Sequence, residues 1–187
     1  MLTDVENSIK ILKRGGIILY PTDTIWGLGC DATNEKAVNK IYKIKKRKDA
    51  RSLLILVNSL QTIKLYVDYL PDISSELMER TESSLTIIYP GAKNLALNLI
   101  TNDGSIGIRI TKDEFCSALI SRFGKPIVST SANISDKPYP GNFSEIDEAI
   151  KLSVDYIVNW KQSETLVSKP SKIIKLKPNG GFNIIRE

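Results

Sequence analysis

Residues 17–29 read IILYPTDTIWGLG, and this stretch sets the type of sheet that the chain builds. The first four residues form a short apolar run rich in branched side chains, and Pro21 ends it, so we predict a buried strand. A polar loop then follows through Gly29. In this loop the hydroxyls of Thr22 and Thr24 are suited to a small polar ligand, and glycine allows backbone amides to approach that ligand closely. The alternative is an ordinary loop with turn glycines, and the spacing alone does not decide between the two.

Apolar periodicity predicts helices and further strands on both sides of this stretch. The first helix is expected to begin with a capping box at Thr3–Glu6, and a second helix with Asn34 as its cap. We also predict a hairpin in which the strands 95–100 and 106–110 flank a turn. Other predicted strands cover 53–57, 85–89, 127–129, 156–158, 173–176 and 182–185, and other helices 60–66, 75–80, 113–123 and 145–151. This irregular alternation predicts a single α/β domain, residues 1–187, with a twisted, mixed and largely antiparallel sheet rather than a βαβ array.

The composition restricts the chemistry. The chain has 187 residues, which suits one domain, and it contains no histidine. Ser-His-Asp and Cys-His mechanisms and histidine metal sites are therefore excluded, and we predict no metal site formed by protein side chains. Catalysis would rest on positioning and charge neutralisation, as in phosphoryl or nucleotidyl transfer. The net charge of +5 is compatible with an anionic ligand or a nucleic acid.

Compartment and membrane signals point to the cytoplasm. Asp4 and Glu6 interrupt the N-terminal region, which therefore does not resemble a signal peptide. No apolar run is long enough to span a bilayer. Cys30 and Cys116 are isolated in the sequence and are expected to be buried free thiols in a reducing compartment.

A basic cluster follows the second predicted helix. Seven of the twelve residues from Lys40 to Arg51 are basic and one is acidic. Positive charge beside the end of a sheet suits a triphosphate. The alternative is a solvated helix face that the C-terminal helix dipole favours.

Two later segments place polar groups on predicted strands. Arg109 interrupts the apolar run 106–110, where it either binds a carboxylate or faces water. Ser129–Asn133 gathers short hydroxyl and amide side chains at the end of a strand, which is where open α/β sheets bind ligands; an ordinary turn is the alternative. The chain contains neither a P-loop motif nor a GxGxxG motif after the first strand.

Taken in order, these segments resemble the YrdC-like family, the threonylcarbamoyl-AMP synthases. The resemblance covers nearly the whole chain and looks like the short form of the family, which has the catalytic domain only. It rests mainly on residues 20–29, Lys45 with Arg47, residues 106–110 and Ser129–Asn133. It implies a sheet around a basic concave cavity.

The resemblance also implies a reaction. L-threonine and bicarbonate or CO2 give a carbamate, which attacks the α-phosphorus of ATP and releases pyrophosphate. Mg²⁺ would accompany the triphosphate. The product would pass to a threonylcarbamoyl transferase complex that modifies tRNA, and tRNA or double-stranded RNA would be a further partner.

Site residues follow from the resemblance position by position. Catalytic positions are Lys45, Arg47, Ser131 and Asn133. Threonine-binding positions are Thr24, Arg109, Ser129 and Ser171. ATP-binding positions are Lys45, Arg47, Arg51, Ser105, Ser131, Asn133 and Arg186.

The chain departs from the family pattern near the basic cluster. Lys46 and Lys48 stand where the family commonly has Gly and Pro, and Arg51-Ser52 stands where it has Asn-Pro. The extra lysines are suited to tighter phosphate binding or to a surface that faces RNA. Two other functions therefore stay open: a non-catalytic RNA-binding module of the same fold, and a paralogue with a different small-molecule substrate.

Overall fold

The structure is a computed structural model that describes residues 1–46, 53–81, 83–165, 169–177 and 181–187. Within these ranges the helices are α1 (Leu2–Lys13), α2 (Glu35–Ile44), α3 (Leu60–Lys64), α4 (Ile73–Glu79), α5 (Glu114–Phe123) and α6 (Glu148–Lys151). The Asn34 side chain accepts a hydrogen bond from the Ala37 N–H and caps α2, as predicted. Asp113 caps α5 in the same way, and Gly124 ends α5 with a φ of 76°.

One mixed sheet runs through the described residues. Its strands are β1 (Ile18–Tyr20), β2 (Gly27–Gly29), β3 (Leu54–Val57), β4 (Leu85–Tyr89), β5 (Ile106–Ile110), β6 (Ile127–Ser131), β7 (Tyr156–Ile157), β8 (Lys172–Leu176) and β9 (Phe182–Arg186). The order across the sheet is β7-β1-β2-β6-β3-β5-β4-β8-β9. The pairs β1–β7, β3–β5 and β4–β8 are parallel, and the other five are antiparallel. The predicted mixed, largely antiparallel sheet is confirmed.

Both faces of the central sheet are covered, which explains why its strands are continuous apolar runs. In β1, Leu19 belongs to the larger core cluster, together with Val38 of α2. Ile18 and Tyr20 point to the opposite face, where they join a second cluster with Phe115 of α5. Because successive strand residues alternate between faces, every position of β1 must be apolar or aromatic.

The strand β2 lies where the sequence predicted a loop. It pairs antiparallel with β1 on one side and with β6 on the other. Glycine has a low strand propensity, so the pattern gave no strand signal here. The structure nevertheless requires glycine at position 29, because a Cβ there would lie 2.5 Å from Cε1 of Tyr20 and 3.0 Å from the Val128 carbonyl oxygen.

Two other local predictions are wrong. Helix α1 begins at Leu2 without a side-chain cap, so Thr3–Glu6 is part of the helix and not a capping box. The predicted hairpin strand 95–100 contains a short 3-10 turn at Leu97–Leu99 instead. This segment is held to the chain before α2, since the Ala96 N–H donates to the Ala32 carbonyl. Strand β5 therefore pairs with β3 and β4.

Membrane-spanning helices and metal-ion sites were sought in the ranges that the structure describes. No helix there combines the length and the apolar character needed to cross a membrane. Nor does any group of three or more acidic or cysteine side chains come together as a metal-ion site.

Candidate functional site

A cavity of about 440 Å³ opens beside the centre of the sheet. The loop before β2, the end of β6, strand β5 and the chain around β8 and β9 contribute to its wall. Apart from the aromatic residues Trp26 and Tyr139, its polar lining comprises Thr24, Arg109, Ser129, Thr130, Ser131, Ser171 and Arg186. Six of these seven residues are predicted site residues, and Thr130 is the addition. Among the described lining residues two are arginines and none is a carboxylate.

Strand pairing explains why distant residues meet here. Gly27 of β2 lies opposite Ser131 of β6, and β6 pairs in turn with β3. In the next strand, β5, Arg109 lies beside Leu56 of β3. Strand β6 extends two residues beyond the predicted strand, so Ser131 is held by the sheet.

Arg109 is buried, with 3% of its surface exposed, and the loop before β2 surrounds its guanidinium. Its Nη1 donates to Thr24 Oγ1 at 2.9 Å, and its Nη2 donates to Thr22 Oγ1 at 3.4 Å. Asp23 Oδ1 lies 3.4 Å from Nη2 and forms an ion pair with it. We refer to Arg109, Thr22, Asp23 and Thr24 as the arginine cluster.

One nitrogen of this guanidinium, Nε, makes none of these contacts. Arg109 Nε is buried and has no hydrogen-bond partner among the described residues. A buried donor without a partner is costly, so it marks a place where a ligand oxygen would be favourable. Since an arginine binds a carboxylate through two parallel N–H groups, the arrangement is suited to a carboxylate ligand.

Asp23 was not predicted as a site residue. The sequence places it in a polar loop 86 positions before Arg109, and nothing in that local pattern separates it from a solvated turn residue. The sequence feature that could have indicated Asp23 was the charge on Arg109. A buried arginine on an apolar strand requires a negative partner, and Asp23 is the carboxylate between the two threonines that contact it.

The segment at the end of β6 is held by Lys45. The Lys45 ammonium is buried and donates to the carbonyl oxygens of Ser131 at 2.6 Å and Asn133 at 2.7 Å. It also donates to Asn133 Oδ1 at 3.1 Å, and Ser131 Oγ donates to the same oxygen at 2.5 Å. Lys45, Ser131 and Asn133 are thus brought together, and the lysine fixes the backbone that carries the other two. Contact between these residues and a triphosphate stays a prediction.

Ser171 and Arg186 form the opposite wall of the cavity, which we call the rim. Arg186 lies on the edge strand β9, and its Nε and Nη2 donate to the Ser171 carbonyl at 2.9 and 2.7 Å. Ser171 Oγ lies 2.8 Å from Thr86 Oγ1 of β4. Partial burial and then repulsion by Arg109 lower the pKa of the Arg186 guanidinium. This repulsion indicates that the two arginines share one electrostatic environment.

Three predicted site residues that the structure describes, Lys45, Asn133 and Ser105, are not among the residues that line the cavity. Ser105 precedes β5, where its Oγ donates to Asp103 Oδ1 at 2.7 Å, and it does not contribute to the cavity lining. Arg47 and Arg51 lie outside the described residues.

Three buried side chains that would be nucleophiles when ionised, Tyr20, Cys30 and Cys116, have raised pKa values. Burial raises the pKa of Tyr20, which packs behind the cavity, well above its ordinary value. Cys116 and Cys30 are both buried free thiols, and burial raises the pKa of each. The arrangement therefore favours binding and alignment of anionic groups over covalent catalysis by a protein side chain.

Comparison with known proteins gives a consistent family. Residues 10–187 match the Sua5/YciO/YrdC family model, whose description is "Telomere recombination". The threonylcarbamoyl-AMP synthase of Hahella chejuensis is 31% identical over 170 residues, which are 90% of this chain and 91% of that protein. The crystal structure of E. coli YciO superposes with a TM-score of 0.84 at 25% identity, over 98% of this chain and 88% of that one.

A further structure gives the same fold with a ligand. The crystal structure of P. abyssi Sua5 complexed with L-threonine superposes with a TM-score of 0.81 at 24% identity. The match covers 92% of this chain and 50% of the P. abyssi chain.

Proposed function

The chain belongs to the Sua5/YciO/YrdC family, and we propose that it is a threonylcarbamoyl-AMP synthase. Such an enzyme uses ATP, L-threonine and bicarbonate or CO2, and it releases threonylcarbamoyl-AMP and pyrophosphate. The observation that supports the proposal most strongly is the buried Arg109, whose Nε finds no hydrogen-bond partner among the described residues. It lies in a cavity that also contains Arg186 and no described carboxylate. This is an environment for a ligand with more than one anionic group.

The arginine cluster is the proposed threonine end of the site. The threonine carboxylate would bind the Arg109 guanidinium through Nε, for which the described residues provide no acceptor. Thr24 and Ser129 line the same part of the cavity and offer hydroxyls that orient the amino acid. Ser171 would contribute from the rim.

The remaining part of the cavity is the proposed nucleotide end. Ser131 and Arg186 line it, and Lys45 and Asn133 support it. Arg47, Arg51 and Ser105 stay predictions for phosphate or nucleotide contacts. Mg²⁺ would enter with ATP as part of the substrate. The cavity lining offers hydroxyls but no carboxylate among its described residues, so phosphate oxygens and water would supply most of the metal's ligands.

The proposed chemistry has two steps. The threonine amine adds to the carbon of bicarbonate or CO2 and gives a carbamate, with loss of water when bicarbonate is used. A carbamate oxygen then attacks the α-phosphorus of ATP, and the bond to the bridging oxygen of pyrophosphate breaks. The protein's part is to align the carbamate with the phosphorus and to neutralise the charge that develops on pyrophosphate.

The product is an activated intermediate, which requires an acceptor. We propose that a threonylcarbamoyl transferase complex uses it to modify tRNA, and that the reaction takes place in the cytoplasm. The two buried free thiols are compatible with a reducing compartment.

The test is direct. Purified protein would be mixed with ATP, Mg²⁺, L-threonine and bicarbonate, pyrophosphate release would be followed, and the adduct would be identified by mass spectrometry. Serine and a sample without amino acid are the controls. We expect threonine-dependent pyrophosphate together with threonylcarbamoyl-AMP. Binding of ATP or RNA without any adduct would contradict the proposal and favour a binding module or a paralogue with another substrate.

A further inference from the structure

We propose that Asp23 is a positioning residue whose carboxylate holds the Arg109 guanidinium in the orientation that receives the carboxylate of the amino-acid substrate. The inference rests on the proposed function, in which Arg109 binds that substrate. Asp23 is not part of the cavity lining, so it acts through Arg109 and not by contact with a ligand.

The ion pair between Arg109 and Asp23 is buried. The Arg109 side chain is 4% exposed and the Asp23 side chain 9%. A buried guanidinium without a negative partner would turn towards water or towards other acceptors, because its desolvation is not compensated. Asp23 supplies that charge before any substrate binds, so the guanidinium is already oriented when the substrate arrives.

Asp23 is itself held in place by two other elements. Thr111, directly after β5, donates from Oγ1 to Asp23 Oδ1 at 3.3 Å. Ser84, directly before β4, donates from its hydroxyl to Asp23 Oδ2. The carboxylate therefore connects the loop before β2 with the residues that flank β4 and β5, and its position does not depend on its own loop alone.

The geometry also shows whether Asp23 orients Arg109 for the substrate or competes with the substrate carboxylate for the guanidinium. If Asp23 occupied the full binding edge of Arg109, it would compete with a substrate carboxylate, and removing its charge would tighten substrate binding. The ion pair of Asp23 is instead with Nη2, at 3.4 Å, which is longer than the roughly 2.7–2.9 Å of a strong charged hydrogen bond. Nε has no partner among the described residues. A second carboxylate can therefore bind Arg109 without displacing Asp23.

The primary experiment is Asp23→Asn, which removes the charge and keeps the size of the side chain. With the full chain, we expect the KM for L-threonine and its Kd by calorimetry to rise about 10-fold or more, because the hydrogen-bonded charge that orients Arg109 is lost. The KM for ATP should stay within about twofold. A threonine KM that is unchanged within about twofold, or lower than that of the unsubstituted protein, would overturn the proposal.

Asp4→Asn is the matched control. Asp4 is also a buried carboxylate, and it accepts hydrogen bonds from Tyr156 Oη at 2.6 Å and from the Asn159 N–H at 3.1 Å, away from the cavity. This substitution should leave both KM values within about twofold. It thereby separates the general effect of losing a buried carboxylate from the effect on Arg109.

A double variant tests whether Asp23 acts through Arg109. In an Arg109→Lys background the geometry that Asp23 controls is absent, so adding Asp23→Asn should change the threonine KM by less than about twofold. A merely structural role would instead lower affinity by the same factor in both backgrounds. If Asp23→Asn does not fold, Thr111→Val removes one hydrogen bond from Asp23 and keeps its charge. We expect the threonine KM of Thr111→Val to rise about 2- to 5-fold with unchanged ATP KM, and no rise would overturn the proposal.

The two proposals fail in different ways. Absence of any adduct with the unsubstituted protein would refute the synthase function. Normal adduct formation by the unsubstituted protein, together with an unaltered threonine KM in Asp23→Asn, would refute only the role of Asp23.

Discussion

The two arginines of the cavity are held in different ways. Arg109 is buried on a central strand, and its guanidinium contacts the Thr24 hydroxyl and the Asp23 carboxylate, which belong to one loop. Arg186 is an exposed residue on the edge strand β9, although its guanidinium is partly buried where it donates to a backbone carbonyl. A guanidinium fixed by side chains and a counter-charge is suited to selecting one small ligand. A guanidinium at an exposed edge is suited to a larger ligand that extends towards solvent, as a nucleotide does.

The same contrast appears in the strands behind each arginine. Strand β5 pairs with neighbours on both sides, and both of those strands are also paired. Among the described strands, β9 pairs with β8 alone, and all its residues are exposed. We therefore expect substitutions at the arginine cluster to have larger and more selective effects than substitutions at the rim.

The largest effect is expected for Arg109→Ala. Loss of a buried charged contact to a carboxylate typically costs several kcal/mol, so we expect kcat/KM for threonine to fall about 100-fold or more. ATP affinity measured without threonine should change by less than about threefold. Calorimetric titration of each substrate provides the test, and unchanged threonine binding would remove Arg109 from the threonine end.

A smaller effect is expected for Arg186→Ala. Its guanidinium already donates to the Ser171 carbonyl, and solvent can replace part of any ligand contact at the rim. We expect the KM for ATP to rise about 10-fold, which corresponds to one charge-assisted hydrogen bond, with the threonine KM nearly constant. Steady-state kinetics with each substrate varied in turn would measure this. A larger change for threonine than for ATP would reverse our assignment of the two ends.

The smallest effect concerns the ion pair between Lys175 and Asp103, which contributes to stability in a pH-dependent way. Lys175 of β8 donates to Asp103, and hydrogen bonds from Lys175, Thr101 and Ser105 hold the pKa of Asp103 below its ordinary value of 3.8. Because the pKa is lower in the folded state, the contribution to stability is complete above pH 5 or so, and it decreases as the pH falls below 3.8. Both side chains are half exposed, so solvent screens the pair.

Asp103→Asn should accordingly lower the free energy of unfolding by about 0.5 kcal/mol at neutral pH. The difference from the unsubstituted protein should shrink as the pH is lowered through the acid range. Urea unfolding at neutral pH and near pH 3 would measure both values. A difference that grows on acidification would contradict the assigned sign.

Where a single physical requirement governed a segment, the sequence was sufficient to predict it. Strands β1 and β3 are buried on both faces, so their apolar runs identified them. The end of α5 followed from Gly124. Strand β2 could not be predicted, because the glycine at position 29 is required by the ring of Tyr20 and the Val128 carbonyl, which only the assembled sheet brings close.

In the site, too, some residues could be predicted from local sequence, while other contacts depend on the tertiary fold. Thr24, Arg109, Ser129 and Ser131 were predicted from their segments, and the structure brings them to one cavity. Asp23 was missed because its role depends on a partner on another strand, and strand register is not visible in either local sequence. Lys45 was predicted as part of the site, but its hydrogen bonds to the Ser131–Asn133 segment are also a product of the tertiary fold.

In the proposed reaction, Arg109 binds the carboxylate of threonine while the carbamate formed on its amine is joined to AMP. The most direct measurement compares adduct formation from L-threonine and from L-threoninamide, which lacks the carboxylate, by mass spectrometry at saturating ATP, Mg²⁺ and bicarbonate. We predict abundant threonylcarbamoyl-AMP from threonine and at least about 100-fold less adduct from the amide, because Arg109 would have no anionic partner. Equal adduct from both substrates would contradict the role of Arg109, and no adduct from threonine would contradict the proposed function itself.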